Sequence, residues 1–173
     1  APDLPGLGDS DRPEGENTAA HIGEILTAGL EQLVEPGSDL HIGCFSFGAV
    51  PGSEAAVRLG DRVRSFTLIG AAGFGPRERP TDGLVRILPE MDDAERRTTA
   101  RSNLEVLMFA DPANVDDLAV DIQLANTARA RFRSRPLSLS DAVLRNLPKI
   151  TARRNAIWGG EDVTAAGMVS ARN

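Results

Sequence analysis

The amino-acid sequence predicts an α/β fold in which parallel strands with flanking helices form a partial sheet, interrupted by an all-helical cap insertion. Two runs with strand character, Leu40–Phe45 and Arg62–Ile69, enclose a segment with helical spacing. Strand, helix and strand in this order form a βαβ unit, whose strands run parallel. Between Arg77 and Arg154 no segment has a strand pattern, and that pattern returns at Asn155–Trp158. An insertion of this length exceeds a usual βα connection and predicts a lid.

These patterns divide the chain into three segments. Residues 1–76 are predicted to form the first part of the core, residues 77–154 the helical cap, and residues 155–173 the part of the core with the last strand. The chain has 173 residues, of which 41% are hydrophobic and 25% charged. That is long enough, and ordinary enough in composition, for a globular domain with its own core.

Charge and cysteine content exclude several classes of partner and site. The chain carries 19 basic and 25 acidic residues, a net charge of −6, so neither nucleic acid nor an anionic membrane is the expected partner. No apolar run approaches the ~20 residues that span a bilayer. The single cysteine, Cys44, cannot form an intrachain disulfide and fits a reducing compartment, from which we expect a cytoplasmic protein.

The elements before the first strand follow from the spacing of proline, glycine and apolar residues. Residues 1–16 hold three prolines and three glycines, which predicts a loop. Apolar residues recur at helical spacing from Ile22 to Val34, behind the N-cap candidates Asn17 and Thr18.

The stretch Leu40–Ala49 is where the sequence points to chemistry. An apolar run leads to Ser46 and then breaks into Gly-Ala and an Ala-rich helical pattern, as when a buried strand turns sharply into a helix. A serine on such a turn presents its hydroxyl to a pocket, while the helix behind it offers unpaired backbone N–H groups and the positive end of its dipole. Pro51, just past the first turn, predicts an irregular start of that helix.

The insertion contains three helical patterns. Asp92 or Asp93 can cap the first of them, and a second helix is predicted to begin near Asn114. Ser138 or Ser140 can cap a short third helix.

One basic cluster follows the second of these patterns. We favour a solvated helix end over an anion-binding role for it. Its members are Arg129, Arg131, Arg133 and Arg135.

These motifs together resemble the alpha/beta-hydrolase family over nearly the whole chain. Asp3–Ser10 resembles the family's D-x-P-G-x-G-x-S loop, Ser46 stands on the strand-to-helix turn, and Trp158–Asp162 has the pattern W-G-x-x-D. Two further stretches, Leu68–Pro76 and Asn103–Pro112, are similar to the meta-cleavage-product hydrolases, the branch that cleaves carbon–carbon bonds. The resemblance implies an alpha/beta-hydrolase sheet with a helical cap.

The resemblance also implies roles for individual residues. Ser46 would be the nucleophile, and Asp162 would be the acid that orients a catalytic histidine. The backbone N–H of Phe47 would supply one donor of the oxyanion hole, a contribution typically worth ~3 kcal/mol to the transition state. Phe45 and Phe74 are candidate walls of the substrate pocket and equally candidates for plain core packing.

The sequence departs from the family's pattern at two places. The first glycine of the family's G-x-S-x-G motif is Cys44 here, although strand and helix pass closely at that position. The carbon–carbon hydrolases also use a cap arginine on the substrate carboxylate, and Leu118–Asn126, where we would look for it, holds none.

The catalytic base that Ser46 would need is not evident in this sequence. The histidines of this sequence are His21, on the first helix, and His41, on the strand five residues before Ser46. We interpret them as a surface and a core residue, and neither as a metal ligand or as the base. The family's histidine follows the acid on a later loop, so we expect this chain to be an internal segment of a longer hydrolase whose histidine lies outside it.

Two functions from different classes remain open. The first is a serine hydrolase that cleaves an ester or an activated carbon–carbon bond of a small molecule, with no cofactor and no metal. The second is a non-catalytic relative that binds a small molecule or a partner. A homo-oligomer is left open in both cases.

Overall fold

A computed structural model describes residues 1–76 and 83–165. The first residues of the predicted cap (77–82) and the last of the predicted core (166–173) lie outside the described residues. By their contacts the residues form two compact units, Ala1–Arg77 with Arg131–Trp158, and Glu78–Ala130 with Gly159–Asn173. These units differ from the predicted segments, because residues 131–154 of the predicted cap belong to the first unit and residues 159–173 of the predicted core belong to the second.

Helices and strands alternate in the first part of the chain. In chain order the elements are α1 (Ala19–Leu33), β1 (Leu40–Phe45), α2 (Ala49–Leu59), β2 (Val63–Ile69), α3 (Asp93–Leu107), α4 (Asp117–Ala128), α5 (Arg135–Ser138), α6 (Ala142–Asn146) and β3 (Arg153–Ile157). Short 3₁₀ helices occupy Ser46–Gly48, Gly60–Arg62, Pro112–Asn114 and Leu147–Lys149. The element types and their order confirm the predicted α/β class.

The strands of the first unit form a parallel sheet in the order β1-β2-β3. Cys44 of β1 pairs with Leu68 of β2, which pairs in turn with Ala156 of β3. Because side chains alternate along a strand, these residues share one face of the sheet. The β1 and β2 part of this face packs on α2, and Phe66 and Val50 are fully buried there.

The opposite face of the sheet is exposed. Phe45 and Ile157 are each 55% exposed, and both pair with Ile69 on the central strand. His41 lies on this face and is exposed, so its interpretation as a core residue is wrong. Its Nδ1 lies 2.7 Å from Oγ of Ser65 on the neighbouring strand. Strand alternation is the physical reason, since His41 points to the side opposite Ile42 and Cys44.

The segment after residue 131 is joined to the loop that follows β2. Gly73 N–H donates to the Ser138 carbonyl at 3.0 Å, and Gly75 N–H donates to the Ser140 carbonyl at 2.8 Å. Val143 N–H donates in return to the Gly73 carbonyl at 3.0 Å. These backbone hydrogen bonds fix α5 and α6 on the core of the first unit.

A buried polar contact ties α6 to α2. Asn146 is only 4% exposed, and its Nδ2 donates to Oε1 of Glu54 at 2.8 Å and to Oγ of Ser53 at 3.2 Å. Ser53 Oγ donates to the Val50 carbonyl at 2.9 Å, so this amide nitrogen and this hydroxyl are satisfied inside the core.

The second unit is built around α3 and α4. Asp92 caps α3 in a capping box with Glu95, as the sequence allowed. Asp116 caps α4 by accepting from Ala119 N–H at 2.8 Å. That helix therefore begins three residues after the predicted Asn114, which ends a 3₁₀ turn. A small hydrophobic core holds the two helices together: Ala100, Leu104, Val115 and Val120.

Neither a membrane-spanning helix nor a metal-binding cluster occurs among the described residues. Residues 1–76 and 83–165 contain no helix with the length and apolar character of a membrane span. In the same residues no group of three or more His, Cys, Asp or Glu side chains could hold a metal ion.

Candidate active site

Ser46 stands on a strained turn between β1 and α2. It follows the last residue of β1 and opens the 3₁₀ turn Ser46–Gly48, which leads directly into α2. Its φ is +48°, and it is the one non-glycine residue with positive φ in the described part of the chain. Such a conformation costs an L-residue ~1 kcal/mol or more and persists only where the surroundings enforce it. Here Ala72 N–H holds the Ser46 carbonyl at 3.0 Å.

The turn places backbone amides next to the half-buried Ser46. Phe47 lies within the 3₁₀ turn, ahead of α2. The first N–H groups of a helix have no intrahelical acceptor, and they carry the positive end of its dipole. A negatively charged oxygen formed at Ser46 would therefore meet favourable electrostatics. The role of the Phe47 N–H as a donor to it stays a prediction.

Cys44 fills the position at which the family's motif has a glycine, and Gly52 of α2 makes room for it. Cys44 is only 5% exposed. A Cβ atom on Gly52 would overlap Cys44 Sγ, far inside van der Waals contact. The close approach of β1 and α2 requires a small residue on one of the two elements. Here that residue is Gly52 on the helix, whereas the strand carries Cys44. Burial raises the pKa of the Cys44 thiol to about 12, so the group stays protonated and is a poor nucleophile.

The start of α2 is irregular, as predicted, but Pro51 lies within the first turn of the helix and not just past it. The 3₁₀ turn Ser46–Gly48 precedes the helix, and Pro51 is its third residue. The N–H groups of the first four helical residues lack intrahelical acceptors, so the missing N–H of proline costs no hydrogen bond there.

Phe132 packs on the turn, a contact that the sequence does not predict. Its ring centroid lies 5.8 Å from that of Phe47, with the planes tilted by 36°. Phe132 also lies against Gly6, since a Cβ atom on Gly6 would lie 2.8 Å from Phe132 Cβ. The glycine-rich loop before α1 and the residue after Ser46 therefore share one aromatic neighbour.

Arg131, the residue before Phe132, binds the loop that precedes α1. Its backbone N–H donates to the Gly6 carbonyl at 2.8 Å, and its Nη2 donates to the carbonyls of Gly8 and Ser10 at 2.9 and 2.6 Å. Arg131 is exposed, which agrees with the expectation of a solvated helix end, but its side chain also binds loop carbonyls, which that expectation did not include. No local signal could have shown this, since more than 120 residues separate Arg131 from the loop.

The two other aromatic candidates lie in different surroundings. Phe74 packs edge-on against Trp158, with ring centroids 6.1 Å apart and planes at 69°. Both contact the core of the first unit. Phe45 lies on the exposed face of the sheet. A role of Phe45 or Phe74 in substrate binding stays a prediction.

Asp162 lies in a turn of the second unit. Its N–H donates to the Gly159 carbonyl at 3.2 Å. Its Oδ1 accepts from the N–H and the Oγ of Thr164, at 2.8 and 2.7 Å. One carboxylate oxygen is thus held by the turn. Ser46 belongs to the first unit, so a catalytic pairing of Ser46 with Asp162 stays a prediction.

Each histidine has a partner of its own. Nε2 of His21 lies 2.7 Å from the Glu14 carbonyl oxygen, and Nδ1 of His41 lies 2.7 Å from Ser65 Oγ. No contact in the described residues joins either ring to Ser46. The catalytic base is therefore not identified among them.

Comparison with solved structures shows the fold. A serine-to-alanine mutant of the deformylase Nfo from Pseudomonas putida S16 aligns over 97% of this chain with a TM-score of 0.64 and 15% identity. A serine-to-alanine mutant of CumD, a meta-cleavage product hydrolase from Pseudomonas fluorescens IP01, aligns over 99% with a TM-score of 0.60 and 19% identity. The esterase EaEST from Exiguobacterium antarcticum aligns over 89% with a TM-score of 0.62 and 18% identity.

The chain is shorter than these proteins. It spans 66% of Nfo, 75% of CumD and 60% of EaEST. A search of curated protein sequences finds no match. A sequence model of the Alpha/beta hydrolase family, however, matches residues 1–172. Because this match covers all but one of its residues, the chain belongs to the alpha/beta hydrolase family.

Proposed function

We propose that this protein is a serine hydrolase that cleaves an ester or an activated carbon–carbon bond of a small molecule through Ser46. The observation that carries the proposal is the strained φ of Ser46 on the turn between β1 and α2. Strain of this kind is concentrated at functional sites, and a serine on a strand-to-helix turn is the nucleophile elbow of this fold.

In the proposed reaction, Ser46 Oγ attacks the substrate carbonyl carbon and passes its proton to a catalytic histidine other than His21 and His41. The oxyanion that forms accepts a hydrogen bond from the Phe47 N–H. The histidine then returns the proton to the leaving group, and water hydrolyses the acyl-enzyme. This sequence of steps requires no cofactor.

In the same proposal, Asp162 orients that histidine. Its turn supports the role, because the contacts of Oδ1 with Thr164 fix the carboxylate and leave Oδ2 for an imidazole N–H. A fixed acid holds the imidazole in the productive tautomer.

The names of similar structures support hydrolysis without selecting a substrate. They include an esterase and a meta-cleavage product hydrolase. Cytoplasmic location and a small-molecule substrate stay predictions.

The test is hydrolysis of p-nitrophenyl acetate by the complete protein. Ser46→Ala is expected to lower kcat/KM by at least ~10³-fold, since it removes the nucleophile. Ser38→Ala, a serine before β1, is the matched control and should retain the wild-type value. Equal rates for wild type and Ser46→Ala would overturn the proposal.

The alternative is a non-catalytic relative that binds a small molecule or a partner. This alternative is favoured by the contacts of His21 and His41. Their rings bind the Glu14 carbonyl and Ser65 Oγ, and in the described residues neither ring contacts Ser46 as a base would. In that case neither wild type nor Ser46→Ala would hydrolyse an activated ester, although both would fold.

A further inference from the structure

The second unit contains a basic cleft with an apolar floor. Its volume is about 600 Å³, within the range of small-molecule sites. No residue of the Ser46 turn lines the cleft. It is lined by the segment before α3, by the first turn of α3, and by the last turns of α4. Its charged lining residues are Arg86, Arg96, Arg97 and Asp93.

The arginines that line the cleft differ in whether a carboxylate of the protein pairs with them. Arg97 is paired with Asp121 and Asp117, whose hydrogen bonds and charges raise its pKa. Arg96 instead donates to backbone carbonyls, from Nε to Met91 at 2.9 Å and from Nη2 to Pro89 at 2.7 Å.

These contacts orient the Arg96 guanidinium without neutralising it. In the described part of the chain, no carboxylate forms an ion pair with Arg96 or with the exposed Arg86. Asp93 is the one acidic side chain among the described residues that line the cleft. The cleft therefore carries net positive charge in a protein whose net charge is −6.

The floor of the cleft consists of aliphatic side chains that pack against the hydrophobic core of the second unit. Ile87 and Leu124 line the cleft, and both pack against the hydrophobic core formed by α3 and α4. Leu88 and Pro89 extend the apolar surface, and no aromatic side chain is among the described residues that line it. A ligand that fits must join an anionic head to an aliphatic body.

We propose that this cleft binds an alkyl carboxylate. The carboxylate accepts hydrogen bonds from Arg86 and Arg96, whose guanidinium groups stay charged at every accessible pH and match the geometry of a carboxylate. The alkyl chain lies along Ile87 and Leu124 and is removed from water.

The test is a calorimetric titration of the complete protein with decanoate at low ionic strength. Arg86→Gln is expected to weaken binding about 5-fold, because it removes one charged donor from an exposed position. Arg153→Gln, an exposed arginine on β3, is the matched control and should bind as wild type.

A second pair of variants keeps every arginine. Ala125→Glu adds a carboxylate at an exposed lining position of α4 and should weaken decanoate binding at least about 5-fold, whereas Ala125→Gln should not. Decanol should bind wild type and Ala125→Glu equally, since it lacks the charge. Absence of decanoate binding by wild type at millimolar concentration, or binding by Arg86→Gln and Ala125→Glu equal to that of wild type, would overturn the proposal.

Discussion

The two units of this protein hold their functional surfaces in different ways. Around Ser46 the geometry depends on close packing, since Cys44 fits only because residue 52 has no side chain. In the second unit, α3 and α4 are held by a capping box, a small core and exposed ion pairs such as Arg97 with Asp117. Packed interiors respond to one added methyl group, whereas exposed pairs contribute little. The first unit should therefore be much the less tolerant of substitution.

The largest effect is expected at the crossing of β1 and α2. Gly52→Ala should lower the free energy of unfolding by ~2 kcal/mol, because its Cβ would overlap Cys44 Sγ. Urea unfolding measures the loss. Gly48→Ala is the matched control, since a Cβ there meets no atom within 4 Å.

A double variant tests the same contact from both sides. If Cys44 and Gly52 compete for one space, Cys44→Ala should recover ~1 kcal/mol or more in the Gly52→Ala background. Strictly additive effects of the two substitutions would show that they do not compete.

Loss of the buried amide of Asn146 should lower the free energy of unfolding nearly as much as Gly52→Ala. Asn146→Ala leaves Glu54 Oε1 without this donor in a mostly buried setting, which should cost ~1–3 kcal/mol. Asn126→Ala, an exposed position on α4, should change stability by less than ~0.5 kcal/mol. Equal effects in the two denaturation curves would contradict the contrast between the units.

Cys44 also predicts how stability depends on alkaline pH. The pKa of its thiol rises from an ordinary value of 9.0 to about 12 in the folded protein. Below pH 9 the thiol is protonated in both states, whereas above it the unfolded chain releases a proton that the folded chain retains. Stability should therefore fall from pH 9 towards pH 12. Urea unfolding of Cys44→Ala should show a weaker decline, and the same decline in both proteins would contradict the assignment.

The smallest effect is expected on the surface of the second unit. Arg97→Gln removes exposed ion pairs to Asp117 and Asp121 and should shift Tm by about 1 °C or less. A thermal scan at low and high salt measures it. A shift of many degrees would show that these pairs stabilise the unit more than surface pairs usually do.

The sequence predicts the Ser46 turn well because the signal is local. An apolar strand, a serine and a small-residue helix adjoin one another between Leu40 and Leu59, and the structure has a strand, a turn and a helix there. The α3 cap at Asp92 is predictable for the same reason, since both partners of the capping box lie within four residues.

Other features depend on contacts that no local pattern encodes. Arg131 and Phe132 reach the loop before α1 from the far side of the insertion. The prediction that His41 is buried is wrong because a parallel strand is usually covered on both faces, whereas here one face is exposed. The fit of Cys44 likewise depends on Gly52, which only the packing of α2 on the sheet brings next to it.

The most direct test of Ser46 as the nucleophile is covalent labelling of the complete protein with a fluorophosphonate, followed by mass spectrometry of the labelled peptide. The adduct is expected on Ser46, Ser46→Ala should not be labelled, and Ser38→Ala should be labelled like wild type. An unlabelled wild type, or an adduct on any other residue, would contradict the assignment of Ser46 as the nucleophile.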